Sequence, residues 1–157
     1  MMTIRLQSND GRLFAVDKET AFMSDLVKNS FEDLGPTTEP IPLPNVCGAV
    51  LAKVIEYCSY HKDDARVLST VPGIVGSHTV VDAWDRRFTS VDDNMLLAVL
   101  VAADYLSIQP LVELGCTVIA KIIRNMSVED IRARFGIVDD FTDDQRAQVR
   151  EELERLK

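Results

Sequence analysis

Nine consecutive apolar residues, Met95 to Ala103, constrain this chain more than any other stretch. A helix built on them has no polar face in its middle, so it must be buried on several sides. The run is far short of the roughly 20 residues a membrane span needs, which points to a protein interior instead. Flanking signals extend the reading. Ser90 with Asp93, and Ser127 with Asp130, have the S-x-x-[DE] spacing of a capping box, and Ser107 is the expected N-cap of a helix between them. Gly136 before Ile137 predicts a Schellman-type stop. Three helices are therefore expected over 90–137.

The middle helix carries an unusually wide apolar face. At 100° per residue, Leu111, Val112, Leu114, Cys116, Val118, Ile119, Ala120, Ile122 and Ile123 cover about 240°. A surface helix needs a stripe of about 100° or somewhat more. The excess fits a surface for a partner protein. It also fits a helix sandwiched inside its own domain, and the arc alone leaves both open.

Upstream, the period changes. Thr3 to Gln7 alternates, Ser8-Asn9-Asp10-Gly11 is a turn, and Arg12 to Asp17 then reads R-L-F-A-V-D, which together predict a β-hairpin. From Lys18 the residues Met23, Leu26, Val27, Ser30, Phe31 and Leu34 follow helical spacing as far as Gly35-Pro36. Ile41 and Leu43 in the proline-rich 36–44 segment suggest a short edge strand, because proline removes ladder donors. Val46 to His61 reads as a helix, Lys62 to Ala83 as a long apolar loop, and Thr142 with Gln145 opens a last helix with a Val149, Leu153, Leu156 stripe. Strands and helices then share one core, an α+β layout.

Charge and composition exclude several classes. The 157 residues hold 17 basic and 25 acidic side chains, a net charge of −8, so phosphate backbones and anionic membrane surfaces are poor partners. The N-terminus has no secretory h-region. Cys47, Cys58 and Cys116, widely spaced among apolar residues, read as reduced core thiols of an intracellular protein.

Catalytic constellations are thin. Cys58-x-x-His61 is half a zinc site with no second half, and Ser77-His78 lacks a nucleophile-elbow context. Gly73-x-x-Gly76 lacks the lysine of a P-loop. Of the carboxylate pairs 63–64, 92–93, 139–140 and 143–144, three sit at expected helix starts, where negative charge complements the dipole. No enzyme, cofactor or metal is expected.

The ordered words I-R-L-Q-S-N-D-G (4–11), P-L-P-N-V (42–46), H-K-D-D (61–64), W-D-R-R-F (84–88), A-A-D-Y-L-S-I (102–108), V-E-D-I-R-A-R-F-G-I (128–137) and D-F-T-D-D-Q-R-A-Q-V-R (140–150) resemble the Skp family over nearly the whole chain. These are adaptors of cullin-type ubiquitin ligases. The resemblance implies a BTB/POZ-like α+β domain, a three-stranded sheet with packed helices, plus a C-terminal helical extension. It implies a cullin-binding domain over 1–108 and F-box-binding helices over 109–157, together forming one compact unit. The implied function is a non-catalytic bridge between a cullin N-terminal domain and F-box receptors in an SCF-type E3 ligase, cytoplasmic and nuclear. The alternative is a divergent Skp-like module of a kinetochore or endosomal assembly, or one that self-associates, with a homodimer as the free state.

By the same resemblance Asp104 and Tyr105 would face the cullin. The F-box surface would fall on Leu111, Leu114, Thr117, Ile119, Ala120 and Ile123, then Ile131, Phe135 and Ile137. Asp104 replaces the family's asparagine, so a pairing there needs a donor opposite it. Where members usually carry a Trp-containing tail, this chain reads E-E-L-E-R-L-K, and receptor affinity or selectivity is expected to differ accordingly.

Overall fold

The hairpin that opens the chain also starts its first long helix. In the computed structural model, which describes residues 2–68 and 81–157, β1 (Thr3–Ser8) pairs antiparallel with β2 (Leu13–Asp17), placing Ile4 opposite Val16 and Leu6 opposite Phe14. The turn closes on Gly11, whose φ of 81° a side chain would resist. Asp10 in that turn accepts the Gly48 N–H at 2.8 Å. Gly48 begins α3 (Gly48–His61), whose own N-cap, Cys47, makes no side-chain cap bond. A carboxylate 38 residues upstream thus caps this helix.

β3 (Ile41–Leu43) runs parallel to β1, giving the order β2-β1-β3. It is an edge strand, as expected, with Pro42 turned outward and Ile41 and Leu43 buried. The expected helix from Lys18 to Leu34 divides in two, α1 (Lys18–Ala21) and α2 (Asp25–Leu34). Ser24 makes the break. Its hydroxyl accepts the Val27 N–H at 3.2 Å, as an N-cap does, and donates to the Leu106 carbonyl at 2.6 Å.

Two helices lie where a loop or nothing regular was expected. α4 (Ala65–Leu68) interrupts the supposed 62–83 loop and buries Val67; residues 69–80 of that loop fall outside the described residues. α5 (Ala83–Thr89) starts on a capping box between Asp82 and Asp85. α6 (Asp93–Tyr105) follows, capped by Asp92 rather than Ser90, because Ser90 Oγ is bonded to the Arg86 carbonyl at the end of α5.

α7 (Gln109–Ile123) is not capped by Ser107. That residue has a φ of 55°; its N–H donates to the Asp104 carbonyl, and the Ile108 N–H to that of Ala103. This is a Schellman ending of α6 with serine in the left-handed position. α8 (Val128–Phe135) is capped by Ser127 and stopped by Gly136 at φ 65°, and α9 (Asp143–Arg155) opens on the Thr142–Gln145 box, all as expected.

The chain forms two compact units, Met1–Lys121 and Ile122–Lys157, and the division falls inside α7. The first holds the core, where the sheet face of Ile4, Leu6 and Val16 meets Leu51 and Val54 of α3, Ala102 and Ala103 of α6, and Leu111 and Leu114 of α7. Of the three cysteines only Cys58 is in it. Cys47 and Cys116 are exposed, so the expectation of three core thiols is corrected.

Candidate protein-interaction site

In the first unit the nine-residue apolar run is only partly covered. Leu96, Val99, Ala102 and Ala103 of α6 are buried, whereas Leu97, Ala98 and Leu100 are half-buried and Val101 is 68% exposed. Leu97, Val101 and Asp104 fall within one stripe at 100° per residue. Asp104 is exposed, and Tyr105 is half-buried against the core beside it. The structure therefore joins Asp104 and Tyr105 to an aliphatic strip that sequence reasoning placed wholly inside. Unbroken hydrophobicity carried no sign of which side would stay open.

α7 resolves its wide arc along its length. Leu111 and Leu114 are fully buried, and Gly115 lets the side chain of Leu100 lie against the helix backbone where a Cβ would collide with it. These positions belong to the domain core and offer no surface. Further on, Thr117 and Ile119 are half-buried and Ala120 is exposed, with Ile123 half-buried in the last turn.

The second unit has its own uncovered apolar surface. Every residue of α8 and α9 is half-buried or exposed. Ile131 and Phe135 are half-buried, and Ile137 is 53% exposed next to Val138 at 79%. Phe141, Val149, Leu153 and Leu156 are exposed as well. Asp139 braces this surface, accepting from Arg146 at 2.9 Å and lying 3.3 Å from Arg132. Desolvation works against its ionisation, but the Phe141 N–H and the two guanidiniums outweigh it and hold its carboxyl below the usual range. Exposed apolar area of this kind marks an interaction surface more often than a chance scatter of leucines.

The titratable groups are placed for packing. His61 is buried, with Nε2 at 2.8 Å from buried Asp85 and Nδ1 facing Asp64 at 3.4 Å. Burial pushes the Cys58 thiol up to about 12, so it is a poor nucleophile near neutrality. His78 lies outside the described residues. Among the described residues no group of three or more His, Cys, Asp or Glu could hold a metal, and no helix is long and apolar enough to cross a membrane.

Comparison with known families decides the assignment. Residues 2–63 match the tetramerisation domain of the Skp1 family, and residues 109–156 match its dimerisation domain. The chain belongs to the Skp1 family. It is 43% identical over 152 residues to the E3 ubiquitin ligase complex SCF subunit sconC of Aspergillus flavus, covering 97% of this chain and 94% of the relative. The proteins of the same description from Neosartorya fischeri and Emericella nidulans are each 42% identical, over 154 and 149 residues, covering 98% and 95% of this chain and 98% and 92% of the relatives. The α+β, BTB/POZ-like layout expected from the sequence is borne out, its sheet and first helices lying in the match over 2–63. The Skp1-family dimerisation domain contains α7, α8 and α9, the helices with the open apolar surface.

Proposed function

We propose that this Skp1-family chain is a non-catalytic adaptor of an SCF-type E3 ubiquitin ligase, bridging a cullin N-terminal domain and F-box receptors. One observation carries the reading: α8 and α9 leave every residue at least partly open while carrying Val128, Ile131, Phe135, Val149 and Leu153. A helix pair with that much unpartnered apolar surface fits a protein that works in a complex. The relatives described as SCF subunits agree with it.

The cullin face would be Asp104 and Tyr105 with Val101 beside them. The receptor-contacting residues would be Thr117, Ile119 and Ala120 in the first unit and Ile123, Ile131, Phe135 and Ile137 in the second; Leu111 and Leu114 shape α7 from within the core. Such an adaptor accelerates ubiquitin transfer by position alone, raising the effective concentration of substrate lysines near the loaded enzyme. Reconstitution tests it directly. An immobilised cullin N-terminal domain should retain an F-box domain only when this chain is added; retention without it, or none with it, would refute the bridge.

Self-association of the free chain is a second reading, favoured by the same open apolar residues. Sedimentation velocity should then show a dimer that an F-box domain dissociates.

A further inference from the structure

α8 and α9 lack the usual means of fixing two helices against each other. Neither contains a buried residue, and the apolar side chains lining the cleft between them, Val128, Phe141, Val149 and Leu153, are each at least 40% exposed. Such contacts set an interhelix angle weakly, because the angle of two packed helices normally follows from interlocked, buried side chains.

What spans the two helices instead is polar. Asp139 stands in the 136–142 connection. Its Oδ2 accepts from Arg146 of α9 at 2.9 Å and lies 3.3 Å from the Arg132 guanidinium of α8, while Oδ1 accepts the Phe141 N–H at 3.4 Å. Arg146 also donates to the Phe141 carbonyl at 3.4 Å, and Arg132 lies 5.7 Å from the centre of the Phe141 ring. One carboxylate therefore ties both helices and the chain between them. Isolated surface ion pairs contribute little, but charges sharing a partner in a hydrogen-bonded network contribute more.

None of these three charged residues is a receptor-contacting position, yet the clamp brackets such positions. Arg132 follows Ile131, its carbonyl accepts the Ile137 N–H at 2.9 Å, and Asp139 comes shortly after Ile137. Fixing Arg132 and Asp139 thus fixes the segment that carries Phe135 and Ile137.

We propose that Asp139 is a positioning residue for receptor binding, clamping Arg132 to Arg146 so that α8 and α9 hold their relative angle before a receptor arrives. The receptor itself is taken from the adaptor reading, on which the proposal rests. Without the clamp the helices sample a range of angles, only a fraction of the chains is competent, and the apparent dissociation constant rises by the reciprocal of that fraction. The loss falls on association. A seated receptor holds both helices itself, so dissociation is unchanged.

Spin labels on Ala133→Cys in α8 and Gln148→Cys in α9 read the separation of the helices in the full chain by double electron–electron resonance. The background carries Cys47→Ser and Cys116→Ser, because those two thiols are exposed and Cys58 is buried. The chain with Asp139 intact should give one narrow distance distribution, and Asp139→Ala and Arg146→Gln should each broaden it. Arg146→Gln leaves the Asp139 turn in place, so it tests the clamp even if Asp139→Ala loses helix content by circular dichroism. In stopped-flow mixing with an F-box domain, both variants should associate about 5–10-fold more slowly and dissociate within about twofold of the wild type. Distributions that stay narrow, an unchanged association rate, or a loss carried by faster dissociation would each overturn the proposal. A wild type that binds no F-box domain removes the adaptor reading and the positioning role with it, whereas variants that match a binding wild type remove only the positioning role.

Discussion

His61 Nε2 lies 2.8 Å from Asp85 Oδ1, and both side chains are 1% exposed. The pair fastens the end of α3 to α5, with the Tyr57 ring 4.5 Å and the Trp84 ring 5.3 Å from the imidazole. Removing one partner leaves a buried polar group without its hydrogen bond, which costs far more than the pair contributes over an apolar substitute. His61→Ala should therefore destabilise the chain by about 3–5 kcal/mol in urea unfolding. The double substitution His61→Leu with Asp85→Leu should recover much of that loss. A loss under about 1 kcal/mol for His61→Ala would show that the pair does not secure α5.

Ser107 ends α6 in the left-handed region at φ 55°, where a Cβ is strained. Ser107→Gly should raise stability by about 0.5–1 kcal/mol once the greater freedom of unfolded glycine is subtracted. Gly136 supplies the reciprocal case. Its φ is 65° and a Cβ there would meet nothing within 4 Å, so Gly136→Ala should cost about 1 kcal/mol through backbone strain alone. Urea midpoints at unchanged slope would check both.

Asp17 gives a pH signature. The Thr20 hydroxyl is the largest influence; partial burial opposes it, and the Thr20 N–H and Lys62 add to it, lowering the carboxyl from 3.8 to about 2. A pKa depressed in the folded state gives stability that is complete above the unfolded value and lost as pH falls through the folded one. The contribution of Asp17 should thus fade between pH 4 and 2. Asp17→Asn keeps an N-cap acceptor for α1 but no charge, so its urea midpoint should vary less over that window than the wild type's. Parallel curves for the two proteins would contradict the assignment.

The parts of the fold with local signals were legible in the sequence. Asp10-Gly11 marked the hairpin, Pro42 marked an edge strand, and Ser127, Gly136 and Thr142 marked helix ends that the structure keeps. The failures have a common physical cause. Ser24, Ser90 and Ser107 do what their neighbours dictate: one breaks a helix because the Leu106 carbonyl is in reach, one finishes α5, and one takes the left-handed position after α6. Helix α5, only seven residues long, has too short a period to stand out, although its Asp82–Asp85 box was there to be read.

The candidate site was legible in kind more than in extent. The apolar excess of α7 was visible, but an angular arc cannot tell Leu114, in the core, from Val118, one turn further on and half open. Val101 was hidden by its apolar neighbours for the same reason.

The central claim is that two separate faces hold two separate partners. Calorimetric titration of an F-box domain and a cullin N-terminal domain into the wild type, Ile123→Asp and Tyr105→Ala tests it most directly, with thermal unfolding of each variant confirming that it is folded. Ile123→Asp places a charge on a desolvated apolar contact and should weaken F-box binding by about 100-fold or more, leaving cullin affinity within about threefold. Tyr105→Ala should do the reverse. Folded variants that each lose both partners, or a wild type that binds neither, would contradict the two-face adaptor.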